Sequence, residues 1–353
     1  MKKLIVLLSI LLLVSCGKKE EKNKTNNQVT GKTENQMVKD TLTEIAKDVV
    51  TGPKITLRYK FKKGDKFYYK LKTVSTNKST ITADTVITNN IKQSATYKIR
   101  FRVRKINKED NLAELDATIY KIIAETNLNG QTLKYDSKYI YSTRERVQFV
   151  DFEAVKNVPF RVFVNPIGQV VKVEHVNKIM RNILQIQQVP DTLSKKTKER
   201  MRGNIANGTL MPLIQQVFKV LSENEVGIGS VWQLKSTSPM AVFQVENTAT
   251  FKVDKIDTSA KDTMVTIASS LSINASGNNT ASEKGVTYTF TKPKLNGTGS
   301  VVFNQTRGLV KKSESKINGE MTMTANGVDS KKTPVQSSKK DVSENVNTVE
   351  LLK

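Results

Sequence analysis

The sequence predicts a mainly β protein: a β-rich α+β fold of two curved antiparallel sheets of similar topology, with an amphipathic helical insert between them. Three observations carry this expectation. From residue 55 onward, apolar residues alternate with polar ones over long stretches, and period-two patterning marks strands with one wet face and one buried face. Between His175 and Asn224 the period becomes helical, and it returns to two at Val226. Short blocks of the first β region recur in the same order in the second, the signature of an internal repeat.

The chain opens on Met1-Lys2-Lys3, followed by an apolar run over residues 4–14 broken only by Ser9. This is a cationic region followed by a short hydrophobic one, too short for a membrane-spanning helix of about 20 residues. The run ends in Leu13-Val14-Ser15-Cys16, which resembles the lipobox of bacterial lipoproteins. The resemblance implies that residues 1–15 are a signal peptide, that the Cys16 thiol takes a diacylglyceryl group, and that cleavage follows Ser15. The membrane is then a partner through acylated Cys16, because several acyl chains anchor stably where one is marginal. Cys16 is the only cysteine, so no intramolecular disulfide is available and the fold rests on burial. Lys19-Glu20-Glu21 resembles the signal that sends Bacteroidota lipoproteins to the cell surface. The implied location is the outer membrane, at the surface or, alternatively, on its periplasmic face.

Residues 16–52 are predicted to be a tether. From Lys18 to Gly52 they are rich in Lys, Glu, Asn and Thr and carry no aromatic residue, a composition that cannot bury a core. Thr41-Leu42-Thr43-Glu44 has capping-box spacing, which predicts a short helix over 41–50. The N-terminal β lobe is assigned to 53–174. Ile55, Leu57, Tyr59 and Phe61 alternate with Arg58, Lys60 and Lys62. After the turn at Lys63-Gly64-Asp65, Phe67, Tyr69 and Leu71 alternate with Lys66, Lys70 and Lys72. Tyr97, Ile99, Phe101 and Val103 alternate with Lys98, Arg100, Arg102 and Arg104. Asn129-Gly130 is a hairpin signal.

The helical segment spans 175–224. Val176, Ile179, Met180, Ile183 and Leu184 sit at helical spacing. A polar helix follows Pro190 and is expected to break at Asn207-Gly208. A third helix carries Leu210, Leu213, Ile214, Val217, Phe218 and Leu221. The C-terminal β lobe covers 225–353, with polar loops expected over 274–285 and 326–345 and a final strand over 346–352.

Three pairs of blocks make the repeat. Residues 64–72 parallel 229–235 with a two-residue slip, Ala95-Thr96-Tyr97-Lys98-Ile99 parallels Ala249-Thr250-Phe251-Lys252-Val253, and 163–170 parallel 303–310. At this point the chain resembles an uncharacterised family of Bacteroidota lipoproteins, on Leu57-Arg58-Tyr59-Lys60-Phe61-Lys62-Lys63-Gly64, on the Asn165-Pro166-Ile167-Gly168 turn, and on Val226-Gly227-Ile228-Gly229-Ser230-Val231-Trp232. The resemblance implies compartment and fold class and brings no activity.

Chemistry-bearing constellations are sparse. His175 is the only histidine, and nucleophilic catalysis of the Ser-His type would have to run through it. No cluster has metal-ligand spacing, and no cofactor motif occurs. Glu114 and Asp116 share one face of a strand opposite Ala113, Leu115 and Ala117, which places the carboxylates on the wet side. The chain is therefore expected not to be an enzyme, with a hydrolase assembled from distant carboxylates as the remote alternative. Lys and Arg number 57 against 33 Asp and Glu, a net charge of +24. Such a field attracts anions: a lipid, lipopolysaccharide or an acidic glycan, with nucleic acid excluded by compartment. The candidate anionic-ligand patch is Arg58, Lys60, Lys62, Lys66, Lys70, Lys72, Lys98, Arg100, Arg102 and Arg104. A lysine surface serving solubility alone is the alternative, and so is an adhesive module that binds glycan or an envelope protein. Asp-Thr followed by an apolar residue resembles the Bacteroidota O-glycosylation motif, which implies modification at Thr41, Thr85, Thr192 and Thr263.

Overall fold

The alternating segments assemble into one continuous sheet. A computed structural model describes residues 41–45 and 51–352, apart from 108, 191, 260, 284 and 329–332. The predicted signal peptide, Cys16, the Lys19-Glu20-Glu21 signal and the tether as far as residue 40 lie outside the described residues.

In chain order, β1 (Thr41–Ile45) and β2 (Thr51–Ile55) lead into a first half made of β3 (Lys66–Thr82), β4 (Val86–Ile106), β5 (Ala113–Leu128), β6 (Gln131–Asp136), β7 (Pro159–Val164) and β8 (Val170–Glu174). The second half holds β9 (Val226–Ile228), β10 (Val231–Met240), β11 (Phe243–Asp257), β12 (Met264–Ser276), β13 (Thr280–Glu283), β14 (Val286–Phe290), β15 (Lys294–Asn304), β16 (Leu309–Val328) and β17 (Pro334–Leu352). The order across the 15-stranded sheet is β1-β10-β11-β12-β15-β16-β17-β3-β4-β5-β7-β8, while β2 pairs with β9 separately.

The mainly β fold with a helical insert is as predicted, and the two halves repeat one meander: β3-β4-β5-β7-β8 and β10-β11-β12-β15-β16. They are not two sheets, however. β17 lies between them, antiparallel to β16 on one side and to β3 on the other. Its N-terminal part, residues 334–345, falls in the stretch expected to be a loop because it has no apolar face. A central strand has its backbone groups satisfied by both neighbours, so Ser, Lys and Asn side chains suffice.

The repeat is visible in the turns. Gly64 donates to the Val103 carbonyl at 2.9 Å, and Gly229 donates to that of Val253 at 2.8 Å. Both glycines are at positive φ, +93° and +91°, which suits a residue without Cβ. Phe67 then faces Phe101 as Trp232 faces Phe251. This corrects the sequence alignment of the second block by four residues: Phe101 and Val103, rather than Tyr97 and Ile99, correspond to Phe251 and Val253.

Residues 56–62, most of the predicted first strand, join no sheet, while 63–65 turn as expected. They form a strap across the open end of the core. The Tyr59 N–H donates to the Pro166 carbonyl at 2.8 Å and the Lys60 N–H to that of Gly308 at 3.3 Å, so the strap is held between the turns of the two halves. The alternation is still real: Leu57 and Tyr59 are buried, and the Tyr59 ring packs on Phe218 and on Phe303 of β15 although the strap pairs with no strand. The end of the tether also differs from expectation. Thr41–Ile45 is a strand paired with β10, not the start of a helix. The β-branched Thr41, Thr43 and Ile45 suit a strand, and an exposed edge of β10 offers unpaired backbone groups.

α1 (Thr143–Gln148) and α2 (Val150–Val155) follow β6, and α3 (Asn177–Ile186) follows β8. α4 (Lys195–Gly203) runs through a π-helical segment, Asn204–Leu210, into α5 (Met211–Gln215). Asn207-Gly208 therefore does not break the helix, and the π turn keeps Ile205, Ala206, Leu210, Leu213 and Ile214 buried. The third helix ends at Gln215, short of its predicted extent, and the Gln215 side-chain amide donates to the Gly168 and Phe218 carbonyls at 3.1 and 2.6 Å. Beyond it, Phe218 enters the core with no exposed surface. Its ring centroid lies between 5.2 and 6.5 Å from those of Tyr59, Phe61, Phe67 and Phe101. One buried cluster runs from these rings through α3 and α5 to Trp232, Val253, Ile267 and Phe303 of the second half.

Candidate functional site

Residues at even positions of β3 and β4 point away from this core. Lys66 pairs directly with Arg102, Tyr68 with Arg100, and Lys70 with Lys98. Like charges directly opposite one another weaken a sheet, yet here they are neighbours on adjacent strands. Lys72 continues the row on β3 and Lys121 extends it onto β5 beside Lys98. Seven of the ten predicted patch residues thus lie on these two strands, Lys66, Lys70, Lys72, Lys98, Arg100 and Arg102 in the rows and Arg104 at a bulge where the ladder shifts between Val103 and Lys105.

The other three do not belong to the patch. Arg58 sits on the strap, where its guanidinium donates to the Ser222 carbonyl at 2.8 Å and to that of Glu223. It closes the chain end that follows α5, a structural task that alternation alone could not reveal. Lys60 and Lys62 are exposed on the same strap, away from the sheet ladder. The rows are also partly neutralised: Lys70 pairs with Glu350 at 2.6 Å and Arg104 with Asp116 at 3.7 Å. Lys70 and its hydrogen bond hold Glu350 below its ordinary range.

Glu114 and Asp116 are on the wet face, as predicted, and both are engaged by Arg161. Its Nε donates to Asp116 Oδ1 at 2.9 Å and its Nη1 to Glu114. Arg161 comes from β7, which the sequence could not place beside β5. His175 is exposed in the connection between β8 and α3, at φ +61°. Among the described residues, no group of His, Cys, Asp and Glu is arranged to hold a metal ion. No helix there is long and apolar enough to cross a membrane.

Farther along the same outer face lies a trough of about 600 Å³, within the range of small-molecule sites. Six strands, β15, β16, β17, β3, β4 and β5, contribute to it, and its lining includes Lys78, Lys92, Lys294, Asn296, Asn318 and Glu320. Lys78 and Lys92 continue the even positions of the basic rows, but beyond the stretch where apolar residues alternate, and the sequence did not single them out. Lys294 arrives from the other half and carried no signal either.

Of the proposed glycosylation sites, Thr85 is exposed in the turn between β3 and β4, and Thr192 is exposed before α4. Thr263 is half-buried, and its N–H donates to Thr306 Oγ1 at 2.9 Å. Thr41 begins β1, opposite Lys235, and so lies in a strand rather than in a free tether.

Residues 110–310, more than half of the chain, match a family of unknown function, DUF6263. No curated protein sequence matches. Among solved structures, lipovitellin, studied for lipid–protein interactions, is similar at a TM-score of 0.41 and 12% identity, over 83% of this chain and 26% of lipovitellin. An outer membrane channel of Pseudomonas putida F1 aligns at a TM-score of 0.20 and 9% identity, over 83% of this chain and 97% of the channel. A loop-deleted OmpT, an outer membrane protein of Vibrio cholerae, aligns at 0.15 and 7% identity, over 81% of this chain and 100% of that one.

Proposed function

The chain belongs to this family of unknown function, and we propose that it is a lipid-anchored outer-membrane protein that binds an anionic envelope ligand, without catalysis, on the outer face of its sheet. The observation that carries the reading is the pairing of Lys66 with Arg102 and Lys70 with Lys98 on neighbouring strands. Opposed like charges cost the sheet stability, and an anion placed over them removes that cost. The apolar face supports the same choice. It is covered by α3, α5 and Phe218, with Ile179, Ile214 and Phe218 fully buried, so the ligand engages the cationic face rather than burying acyl chains against the core. The anchor rests on the lipobox resemblance at Cys16. A non-enzymatic role accords with Glu114 and Asp116 being committed to Arg161.

The test is flotation with vesicles of phosphatidylglycerol or with lipopolysaccharide, across a salt series. Wild-type protein is expected to bind at low ionic strength and to release as salt shortens the screening length toward about 8 Å. Arg100→Glu with Arg102→Glu should abolish the salt-sensitive binding while the circular dichroism spectrum is retained. Absence of wild-type binding at low salt would overturn the reading.

A further inference from the structure

Resting on that reading, we infer that the trough formed by the distal parts of β3, β4, β5, β15, β16 and β17 is the specific seat of the ligand, and that it takes an acidic saccharide. Sugar rings bearing carboxylate or phosphate are the chemistry meant, whether free or as part of a lipopolysaccharide core.

The charge distribution is the first argument. Lys78, Lys92 and Lys294 are exposed in the trough, and among the described residues none of them has an ion-pair partner. The two carboxylates in the lining are already engaged from outside it: Glu344 by Lys316 at 2.6 Å and Glu320 by Lys340 at 3.2 Å. The trough therefore presents three ammonium groups outside any ion pair, Lys294 standing opposite Glu320 whose carboxylate is taken by Lys340, whereas the basic rows are partly neutralised by Glu350 and Asp116.

The second argument is the neutral lining. Asn90, Asn127, Asn296 and Asn318 reach this face from β4, the end of β5, β15 and β16. Asparagine is depleted in strands, so placing it on two pairs of neighbouring strands, either side of β17 and β3, works against local propensity. Asn127 is held in its hairpin, accepting from the Gly130 N–H and donating to Thr132 Oγ1, and Asn318 donates to Asn296 Oδ1 at 3.4 Å. A carboxamide offers two donors and an acceptor, and those left over on Asn90, Asn296 and Asn318 suit hydroxyl groups that both donate and accept. An inorganic anion or a bare phosphate needs cations only. A ligand with many hydroxyls and a few negative charges uses both parts of this lining.

Distance separates the trough from the rows. Lys72 and Lys78 are six residues apart on one strand, about 20 Å at about 3.3 Å per residue. That is about two screening lengths at 0.1 M salt. The rows therefore steer a large polyanion but contribute little to a short oligosaccharide held in the trough.

The experiment is calorimetric titration of the full-length protein in detergent micelles at physiological salt with four probes: an oligogalacturonate, delipidated core oligosaccharide of lipopolysaccharide, a maltooligosaccharide of matched length, and inorganic phosphate. At least one acidic saccharide should bind, and the neutral one and phosphate at least about tenfold more weakly. The triple variant Lys78→Gln, Lys92→Gln, Lys294→Gln should lose more than about 30-fold, as expected for charge-assisted hydrogen bonds. A row variant, Lys66→Gln with Arg100→Gln and Arg102→Gln, should lose less than about threefold. Should the triple variant fail to fold, Lys92→Glu alone carries the same sign. Equal binding of the matched neutral sugar or of phosphate would overturn the inference. So would a trough variant that binds as wild type. Loss confined to the row variant, or vesicle binding without saccharide binding, would overturn the trough and leave the anionic-ligand reading standing; wild-type protein that binds neither vesicles nor saccharide would end both.

Discussion

Replacing Phe218 by alanine tests whether the two β halves share one core. Phe218 has no exposed surface, and its neighbours Tyr59, Phe61, Phe67 and Phe101 all come from the strap and the first half. A buried Phe→Ala change costs about 3–5 kcal/mol. The edge-on rings around Phe218 place this site toward the upper end, since such pairs add about 0.5–1.5 kcal/mol beyond burial. A loss of about 4 kcal/mol lowers the folding equilibrium constant by about three orders of magnitude. The only tryptophan, Trp232, stacks on Phe251 in the second half at 5.4 Å, so its fluorescence reports the half that Phe218 does not touch through these rings. Urea unfolding followed by Trp232 fluorescence and by circular dichroism should show coincident transitions that move together in Phe218→Ala. A fluorescence transition that stays in place while the dichroism transition shifts would refute the single core.

Arg161→Met should cost about 1–3 kcal/mol in urea unfolding, because Glu114 and Asp116 lose their shared donor; adding Glu114→Gln and Asp116→Asn should recover part of it, and no recovery would deny the charge account. Gly308→Ala should destabilise by more than about 1 kcal/mol, since a Cβ there would lie 2.3 Å from the Lys60 backbone nitrogen at φ +65°; Gly208→Ala, with open space around it, should not, and equal melting of the two variants would contradict the strap's packing. Cys16→Ser should abolish labelled fatty-acid incorporation and release the protein from membranes, and continued membrane fractionation with label would sink the anchor. Intact-mass measurement of protein from its own cells should show added mass assigned to Thr85 or Thr192, the exposed sites; a mass matching the lipidated polypeptide alone would remove glycosylation.

Much of the fold was legible because local periodicity is a local property. The alternation through Phe67, Tyr69 and Leu71 and through Ile99, Phe101 and Val103 assigns faces without any knowledge of partners, and all six are buried. Asn129-Gly130 makes its hairpin turn with both residues at positive φ, 50° and 91°, as that dipeptide requires. The outward direction of Lys66, Lys70, Lys98, Arg100 and Arg102 followed from the same parity.

What only the tertiary structure decided is what each face and edge meets. Alternation around Leu57 and Tyr59 is identical for a strand and for a strap, and the choice depended on the turns at Pro166 and Gly308, which lie more than a hundred residues away in sequence. Arg58 had the parity of the basic rows but found the carbonyls of Ser222 and Glu223. The polar start of β17 became a strand because β16 and β3 stand on either side of it, and hydrogen-bond partners of that kind leave no mark on the strand's own residues. The trough has the same origin. Lys78, Lys92 and Lys294 meet only because β17 bridges the two halves, a long-range pairing that no window of sequence contains.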